Sequence, residues 1–195
     1  MQFSKGVEDF YTTSTEQLLL PFAILDRYCN QKPLDASALH LYALICERLG
    51  LYDLSADLLL KAINILDAQY NQSEDAVTEL QFCTSHVSLG RVRLGIADYE
   101  GALEAFDIAS NLLTPQNDSQ DIQVLYMQAQ MGVGIASSKL ADLTKALETF
   151  EGLLQEVSSD FPDVKAHTRL LLSQTLWAIG TTESQEMAKT QLLSR

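Results

Sequence analysis

The sequence resembles itself three times along its length, and this repetition limits the possible folds more than any other feature. Tyr52 and Tyr99 occupy equivalent positions 47 residues apart, and Leu143 follows Tyr99 by 44. The three segments, 44–66, 90–113 and 134–154, align without internal gaps. Repeats of this length are typical of small units that cannot bury an apolar face alone and stack to complete a shared core. The sequence therefore predicts a repeat array.

Each repeat has the pattern of two helices joined by a short turn. Small residues stand where the first helix should end, and an aspartate that follows can cap the second helix by accepting its free amide hydrogens. A further small residue lies inside the second helix, with a large apolar residue four positions later, so two helices can approach closely. In order, these positions are Gly50, Ala97 and Ala141; Asp53, Asp98 and Asp142; Ser55, Ala102 and Ala146; and Leu59, Phe106 and Phe150.

Composition agrees with helices throughout. The chain has four prolines and nine glycines, too few for the many turns of an all-β protein, and the helix-favouring Leu, Ala, Gln and Glu are abundant. We therefore expect an all-α fold. No catalytic or phosphate-binding motif is present, and His40, His86 and His167 lack ligand spacing, so no catalytic residue, metal or cofactor is expected.

The repeats resemble the tetratricopeptide repeat family. The second unit matches best, through Leu89-Gly90, Asp98-Tyr99, Ala102, Phe106 and Ala109. The family's early tryptophan is absent, and the period of 44–47 exceeds the family's usual 34. The resemblance implies a right-handed α-solenoid of antiparallel helix hairpins. We attribute the extra residues, 67–82 and 116–126, to lengthened helices that begin near Ser73 and Ser119.

These patterns predict a single solenoid over residues 1–195. It would hold a partial repeat or cap at 1–34, then repeats at 35–72, 73–115, 116–159 and 160–195, the last incomplete. Capping-box spacing from Ser14 predicts a first helix that ends near Asn30 and kinks or restarts at Pro21. Because the sequence finishes on the apolar pair Leu192-Leu193 rather than a polar cap, we expect a fragment of a longer array, with homodimerisation through an exposed end as one consequence.

Charge narrows the choice of partners. Twenty-six acidic and 13 basic residues give a net charge of −13, which disfavours direct binding to nucleic acid or an anionic membrane. No stretch is long enough to span a bilayer, and no secretory signal is seen. We therefore expect a cytoplasmic protein, in which Cys29, Cys46 and Cys83 are buried small hydrophobes. The acids of the stretch 98–107 form either a solvated helix face or a patch for a basic partner.

The resemblance to tetratricopeptide proteins implies that a concave face, lined by the first helix of each unit, binds proteins. The alternative is that the apolar members pack between repeats, and for Trp177 packing is the expected role. A chaperone-tail adaptor is disfavoured because His40, Leu44, Val87 and Arg91 do not supply the carboxylate clamp of that class. The predicted protein-binding residues are His40, Leu44, Arg48, Arg91, Leu94, Met131, Ile135, Lys139 and Trp177.

Residues 39–70 and 89–113 further resemble the family of large tetratricopeptide scaffold subunits of superkiller complexes. This resemblance implies a cytoplasmic scaffold that holds an RNA helicase and a β-propeller subunit and supports exosome-dependent 3′-to-5′ RNA decay. The remaining hypothesis is an independent peptide-binding adaptor of the same fold, serving chaperones or transport. An enzyme or a direct nucleic-acid binder would need a catalytic cluster or a basic stripe, and the sequence offers neither.

Overall fold

The computed structural model describes residues 3–73, 76–113, 119–157 and 160–193. In that part of the chain it contains nine α-helices and no strand, so the predicted all-α class is confirmed. The helices are α1 (Phe3–Gln31), α2 (Ala36–Arg48), α3 (Tyr52–Ser73), α4 (Ala76–Gly95), α5 (Tyr99–Leu112), α6 (Gln120–Lys139), α7 (Leu143–Glu156), α8 (Pro162–Ile179) and α9 (Thr182–Leu193).

The chain forms two compact units, residues 1–92 and 93–195. In the first unit, α2 lies between α1 and α3 and contacts both. In the second unit, α5 packs on α6, α6 on α7, α7 on α8 and α8 on α9, and α6 also touches α8. Consecutive antiparallel helices that also contact the next hairpin are the hallmark of an α-solenoid, and this is the fold of the chain.

Three turns share one backbone conformation. Gly50, Ala97 and Ala141 have φ values of 75°, 61° and 63°, which lie in the left-handed region. The next amide in each case reaches back across the helix end, as when Asp142 N–H donates to the Ser137 carbonyl at 2.9 Å. This hydrogen bond satisfies a carbonyl that the helix end would otherwise leave exposed. The predicted ends of the first helices are therefore confirmed.

Two of the three predicted helix caps are present. Asp98 Oδ1 accepts from Gly101 N–H at 3.1 Å, and Asp142 Oδ1 accepts from Lys145 N–H at 3.0 Å. The prediction for Asp53 is wrong, because this residue already lies in the first turn of α3. The residue that directly follows the left-handed Gly50 is Leu51, which has no side-chain acceptor.

The small-and-large pattern of the second helices also has the predicted role. Ser55, Ala102 and Ala146 are completely buried. Their large partners Leu59, Phe106 and Phe150 are at most 3% exposed. In the first unit the serine adds a hydrogen bond, because Ser55 Oγ donates to the Ala43 carbonyl at 2.8 Å. Close approach of the two helices of a hairpin thus depends on a small side chain at this position.

The first helix differs from the prediction in where it begins and in its continuity. α1 is a single helix that includes Phe3 and passes through Pro21, so both the start at Ser14 and a restart at Pro21 are wrong. A proline removes one main-chain hydrogen bond, and here Gln17, four residues before Pro21, is exposed. Water can satisfy the carbonyl that is left without a partner.

The extra residues of the long repeats extend helices, as predicted. α3 continues to Ser73, α4 starts at Ala76, and α6 begins directly after Ser119. The predicted start at Ser73-Glu74-Asp75 falls in part outside the described residues, since 74 and 75 are not among them. All three cysteines are buried free thiols, which confirms their prediction as small hydrophobes.

Candidate functional site

Charge is divided unequally between the two helices of each hairpin. We call α2, α4, α6 and α8 the A helices and α3, α5, α7 and α9 the B helices. Among the A helices, α2 and α6 are neutral and α4 and α8 each carry one net positive charge; among the B helices, α3 and α7 carry −2, α5 carries −3 and α9 carries −1. Among the helices of the hairpins, the net negative charge therefore lies on the B helices, and the A helices carry few carboxylates.

In the first unit, His40 lies half-buried on α2 and faces α4. Its Nδ1 is 3.0 Å from Ser85 Oγ, within hydrogen-bonding distance. Burial is the main cause that lowers the pKa of His40, and the positive charge of Arg91 lowers it further, against an opposing effect of Glu47. The lowered pKa favours the neutral imidazole, and its Nδ1 atom contacts the neighbouring A helix.

Arg91 forms an ion pair with Glu47, which is not among the predicted protein-binding residues. Its Nε and Nη2 atoms donate to the two carboxylate oxygens of Glu47 at 2.6 and 2.7 Å. The Arg91 side chain is 49% exposed and that of Glu47 17%. This paired geometry neutralises the arginine and joins α2 to α4. Leu44 nearby is half-buried, and Arg48 is exposed.

The first unit also has a cavity of about 190 Å³ beside His40. Part of its wall comes from the lengthened start of α4, through Leu80 and Gln81, and Leu66 of α3 also lines it. Sequence reasoning located the extra residues of this repeat but not the cavity they border. The lining residues are Ala36, Ser37, His40, Leu66, Leu80, Gln81, Thr84 and Ser85.

In the second unit, the predicted A-helix residues divide between core and surface. Met131 packs against the buried cluster of Met127, Leu153 and Val157, so its main role is in the core. Ile135 packs on the cluster that contains Phe150 and also borders a cavity of about 240 Å³ between α6 and α8. The residues that line this cavity are Ile135, Ser138, Lys139, Phe150, Leu171, Gln174 and Thr175.

Lys139 and Trp177 are both accessible to a partner. Lys139 is exposed at the cavity between α6 and α8, and within the described residues it forms no ion pair. Trp177 is 56% exposed, so it is not part of the core that the described residues form. Leu94 is half-buried at the end of α4, where its carbonyl accepts from Ala97 N–H in the turn. The structure thus brings Ile135 and Lys139 to one cavity.

The acidic stretch 98–107 is partly neutralised by two neighbouring cations. Arg93 approaches Asp98 at 3.5 Å and Glu104 at 3.8 Å, and Lys145 Nζ donates to Asp107 at 3.1 Å. This arrangement favours the solvated-face interpretation over a patch for a basic partner.

No group of three or more His, Cys, Asp or Glu side chains in the described part of the chain is placed to hold a metal ion. None of the described helices combines the length and hydrophobicity needed to cross a bilayer.

Two curated relatives match nearly the whole chain. Superkiller protein 3 of Schizosaccharomyces pombe is 30% identical over 192 residues, which is 98% of this chain and 13% of that protein. Superkiller protein 3 of Saccharomyces cerevisiae is 22% identical over 97% of the chain and again 13% of its own length. The chain thus spans about an eighth of the length of these relatives. The resemblance stated from the sequence is confirmed, although no protein-family profile matches the chain.

Solved structures confirm the type of solenoid. A putative kinesin light chain of Podosopora anserina with tetratricopeptide-like repeats superposes with a TM-score of 0.70 at 14% identity, over 96% of this chain and 92% of that one. The MamA structure gives a TM-score of 0.66 at 13% identity, over 88% of this chain and 84% of that one. At these identities the likeness shows the fold alone.

Proposed function

We propose that this chain, a tetratricopeptide-type segment similar to superkiller protein 3, is a non-catalytic scaffold of a superkiller complex. In this role it binds protein subunits that support exosome-dependent 3′-to-5′ RNA decay in the cytoplasm. The observation that carries the proposal is the 30% identity with the fission-yeast protein over 98% of the chain. The complex and its link to RNA decay come from the resemblance of the repeats to the scaffold subunits of superkiller complexes.

The surface of the A helices supports a role in protein binding. It combines an accessible tryptophan, a cavity lined by both apolar and polar side chains, and a cation that is in no ion pair of the described residues. Tryptophan and buried apolar pockets are the features that dominate the energetics of protein interfaces. A scaffold needs such surfaces and needs no reacting groups.

The partners that this proposal implies are an RNA helicase and a β-propeller subunit. The charge of the chain suits an indirect relation to RNA, because a net charge of −13 opposes contact with phosphates. Contact with RNA is therefore assigned to the helicase, and the chain supplies the surface that positions it.

Affinity capture from eukaryotic lysate, followed by mass spectrometry, tests the proposal. The tagged chain is compared with Trp177→Ala on α8 and with Met187→Ala, a control at an exposed apolar side chain of α9. We expect the chain and the control to recover an RNA helicase and a β-propeller protein, and Trp177→Ala to recover less. Recovery of chaperones or transport proteins instead would favour the independent adaptor, and recovery of neither class from a folded sample would contradict the scaffold role.

A further inference from the structure

We infer that the first unit holds a binding site for a small neutral molecule that joins an apolar ring to an amide-like head. The site lies where the loop between α1 and α2 meets the end of α3 and the start of α4. The inference does not depend on the scaffold function, because it concerns a space for one small molecule and not a surface for a partner protein. Two adjoining cavities carry it, the inner cavity beside His40 and an outer cavity at the loop.

The two cavities form one continuous space. The inner cavity has a volume of about 190 Å³ and the outer cavity one of about 540 Å³. Ala36, Ser37 and Gln81 line both of them. A ligand can therefore extend from the loop to the side of His40. The residues that line the outer cavity are Lys32, Pro33, Leu34, Asp35, Ala36, Ser37, Gln69 and Gln81.

The lengthened helices of this repeat supply part of the wall. Gln69 on α3, and Leu80 and Gln81 on α4, belong to residues 67–82, which exceed the usual length of such a repeat. In the second unit, a cavity at the end of α7 measures only about 70 Å³, and Phe161 is among the residues that line it. The larger space of the first unit thus depends on its own extra residues and not on the repeat pattern.

Three polar side chains of the inner cavity already have hydrogen-bond partners. Ser85 Oγ and His40 Nδ1 lie 3.0 Å apart, and Thr84 Oγ1 donates to the Leu80 carbonyl at 2.7 Å. Water beside them would find few available partners, whereas an apolar group needs none and contacts Leu66 and Leu80. Since an apolar cavity of about 150 Å³ accepts benzene, the inner cavity has room for one six-membered ring.

The junction of the two cavities suits an amide. The Ser37 hydroxyl and the Gln81 side-chain amide both lie there, and both residues are exposed to solvent on their outer side. A glutamine amide donates and accepts, so it can pair with an amide of the ligand through complementary groups. The head of a ligand whose ring fills the inner cavity would therefore be held at this junction.

The charged groups of the outer cavity favour a neutral ligand. Asp35 accepts hydrogen bonds from the Tyr28 hydroxyl at 2.9 Å and from Ala38 N–H at 3.0 Å. Lys32 Nζ lies 5.4 Å from the centre of the Tyr28 ring. Because Lys32 and Asp35 carry opposite charges and line the same cavity, an anion or a cation that is attracted by one of them is repelled by the other.

NMR of the 195-residue chain tests the inference through the ring signals of His40, with His167 on α8 as the internal control. The ligands are phenylacetamide, acetamide, which lacks the ring, and phenylacetate, which carries a charge. Phenylacetamide should shift the His40 signals saturably, with a dissociation constant of about 1 mM, as is usual for so small a ligand. Acetamide, which fills no apolar space, and phenylacetate, which brings a charge, should bind at least about fivefold more weakly. The His167 signals should not move.

Variants test the two parts of the site separately. Ser37→Phe places a ring at the junction and should weaken binding of phenylacetamide at least about tenfold. Thr182→Phe, at the exposed start of α9, is the matched control and should leave binding within about twofold. Gln81→Ala should weaken phenylacetamide about fivefold through the lost hydrogen bonds. The same variant should leave binding of toluene, which has the ring without the head, within about twofold.

Three results would overturn the inference. The first is a His40 ring that responds neither to phenylacetamide nor to toluene, and the second is acetamide binding as tight as that of phenylacetamide. The third is unchanged phenylacetamide binding by a Ser37→Phe chain whose circular dichroism shows native helix content. If Ser37→Phe does not fold, Gln81→Ala decides, because equal effects on phenylacetamide and toluene would show that the head does not lie at the junction.

Discussion

The ring of Phe150 on α7 lies directly over Gly134 on α6, with no room for a side chain between them. A Cβ built on Gly134 would collide with the ring atoms, and a Cβ on Gly132 would come within 2.5 Å of Phe106. The aromatic residues that mark the repeat in the sequence therefore pack against glycines of α6. These contacts limit how far α6 stands from α5 and from α7.

Replacement of Gly134 by alanine should lower the free energy of unfolding. The added methyl group forces the Phe150 ring or α6 to move, which typically costs about 1–3 kcal/mol. Gly152→Ala on α7 is the matched control, because nothing lies within 4 Å of its Cβ. Alanine is the better helix former, so the control should gain about 0.5–1 kcal/mol. Urea unfolding followed by circular dichroism measures both, and a stabilised Gly134→Ala would contradict the packing described.

At the left-handed turns, glycine should stabilise the fold relative to alanine, the opposite of its effect inside a helix. Ala141 has a φ of 63°, where a side chain costs about 1 kcal/mol. Ala141→Gly should therefore raise the free energy of unfolding by about this amount. Gly50→Ala should lower it similarly, because its Cβ would meet open space and only the backbone is strained. Thermal or urea unfolding measures both changes. A destabilised Ala141→Gly or a stabilised Gly50→Ala would contradict this account.

The pKa of His40 predicts a dependence of stability on pH. Burial lowers this pKa in the folded chain below its ordinary value of about 6.5. As pH falls through that value, the unfolded chain takes up the proton first, so stability is present at neutral pH and is lost on acidification. Urea unfolding between pH 7.5 and 5 should show a shallower loss for His40→Gln than for the parent chain. NMR of the His40 ring should place its midpoint below 6.5, and a midpoint above it would refute the prediction.

The cysteines should react slowly while the chain is folded. Burial is the main cause that raises the pKa of Cys83 to about 12 and that of Cys46 to about 11, and it also raises that of Cys29. Since the thiolate is the reactive form, reaction with Ellman's reagent at pH 8 should be at least about a hundredfold faster in urea than in buffer. Fast labelling of the native chain would show that at least one of these helices opens readily.

Much of the fold was accessible from the sequence because its signals are local and recur. Ser55, Ala102 and Ala146 occupy equivalent places, and their shared smallness indicates close helix approach whatever their neighbours are. Asp98 and Asp142 could be recognised as caps for the same reason. The first unit differs because leucine stands at the position before its second helix. Asp53 is the nearest aspartate, but it lies inside the helix and cannot cap it.

The candidate site was harder to predict, since it depends on contacts between distant residues. Glu47 and Arg91 are 44 residues apart, and only their positions on adjacent helices show that the arginine is already paired. The exposure of Trp177 likewise depends on which helix lies beside it. The unequal net charges of the A and B helices could not be predicted in the same way, because assigning each charged residue to a helix requires the helix bounds.

Hydroxyl-radical footprinting of the captured complex tests most directly the claim that the A helices bind the partner. Trp177 on α8 and Met187 on α9 are both reactive residues, exposed by 56% and 45%, on adjacent A and B helices of one hairpin. We predict that partner binding protects Trp177 from oxidation and leaves the oxidation of Met187 unchanged. Protection of Met187 with unchanged oxidation of Trp177 would place the interface on the B helices and contradict the account.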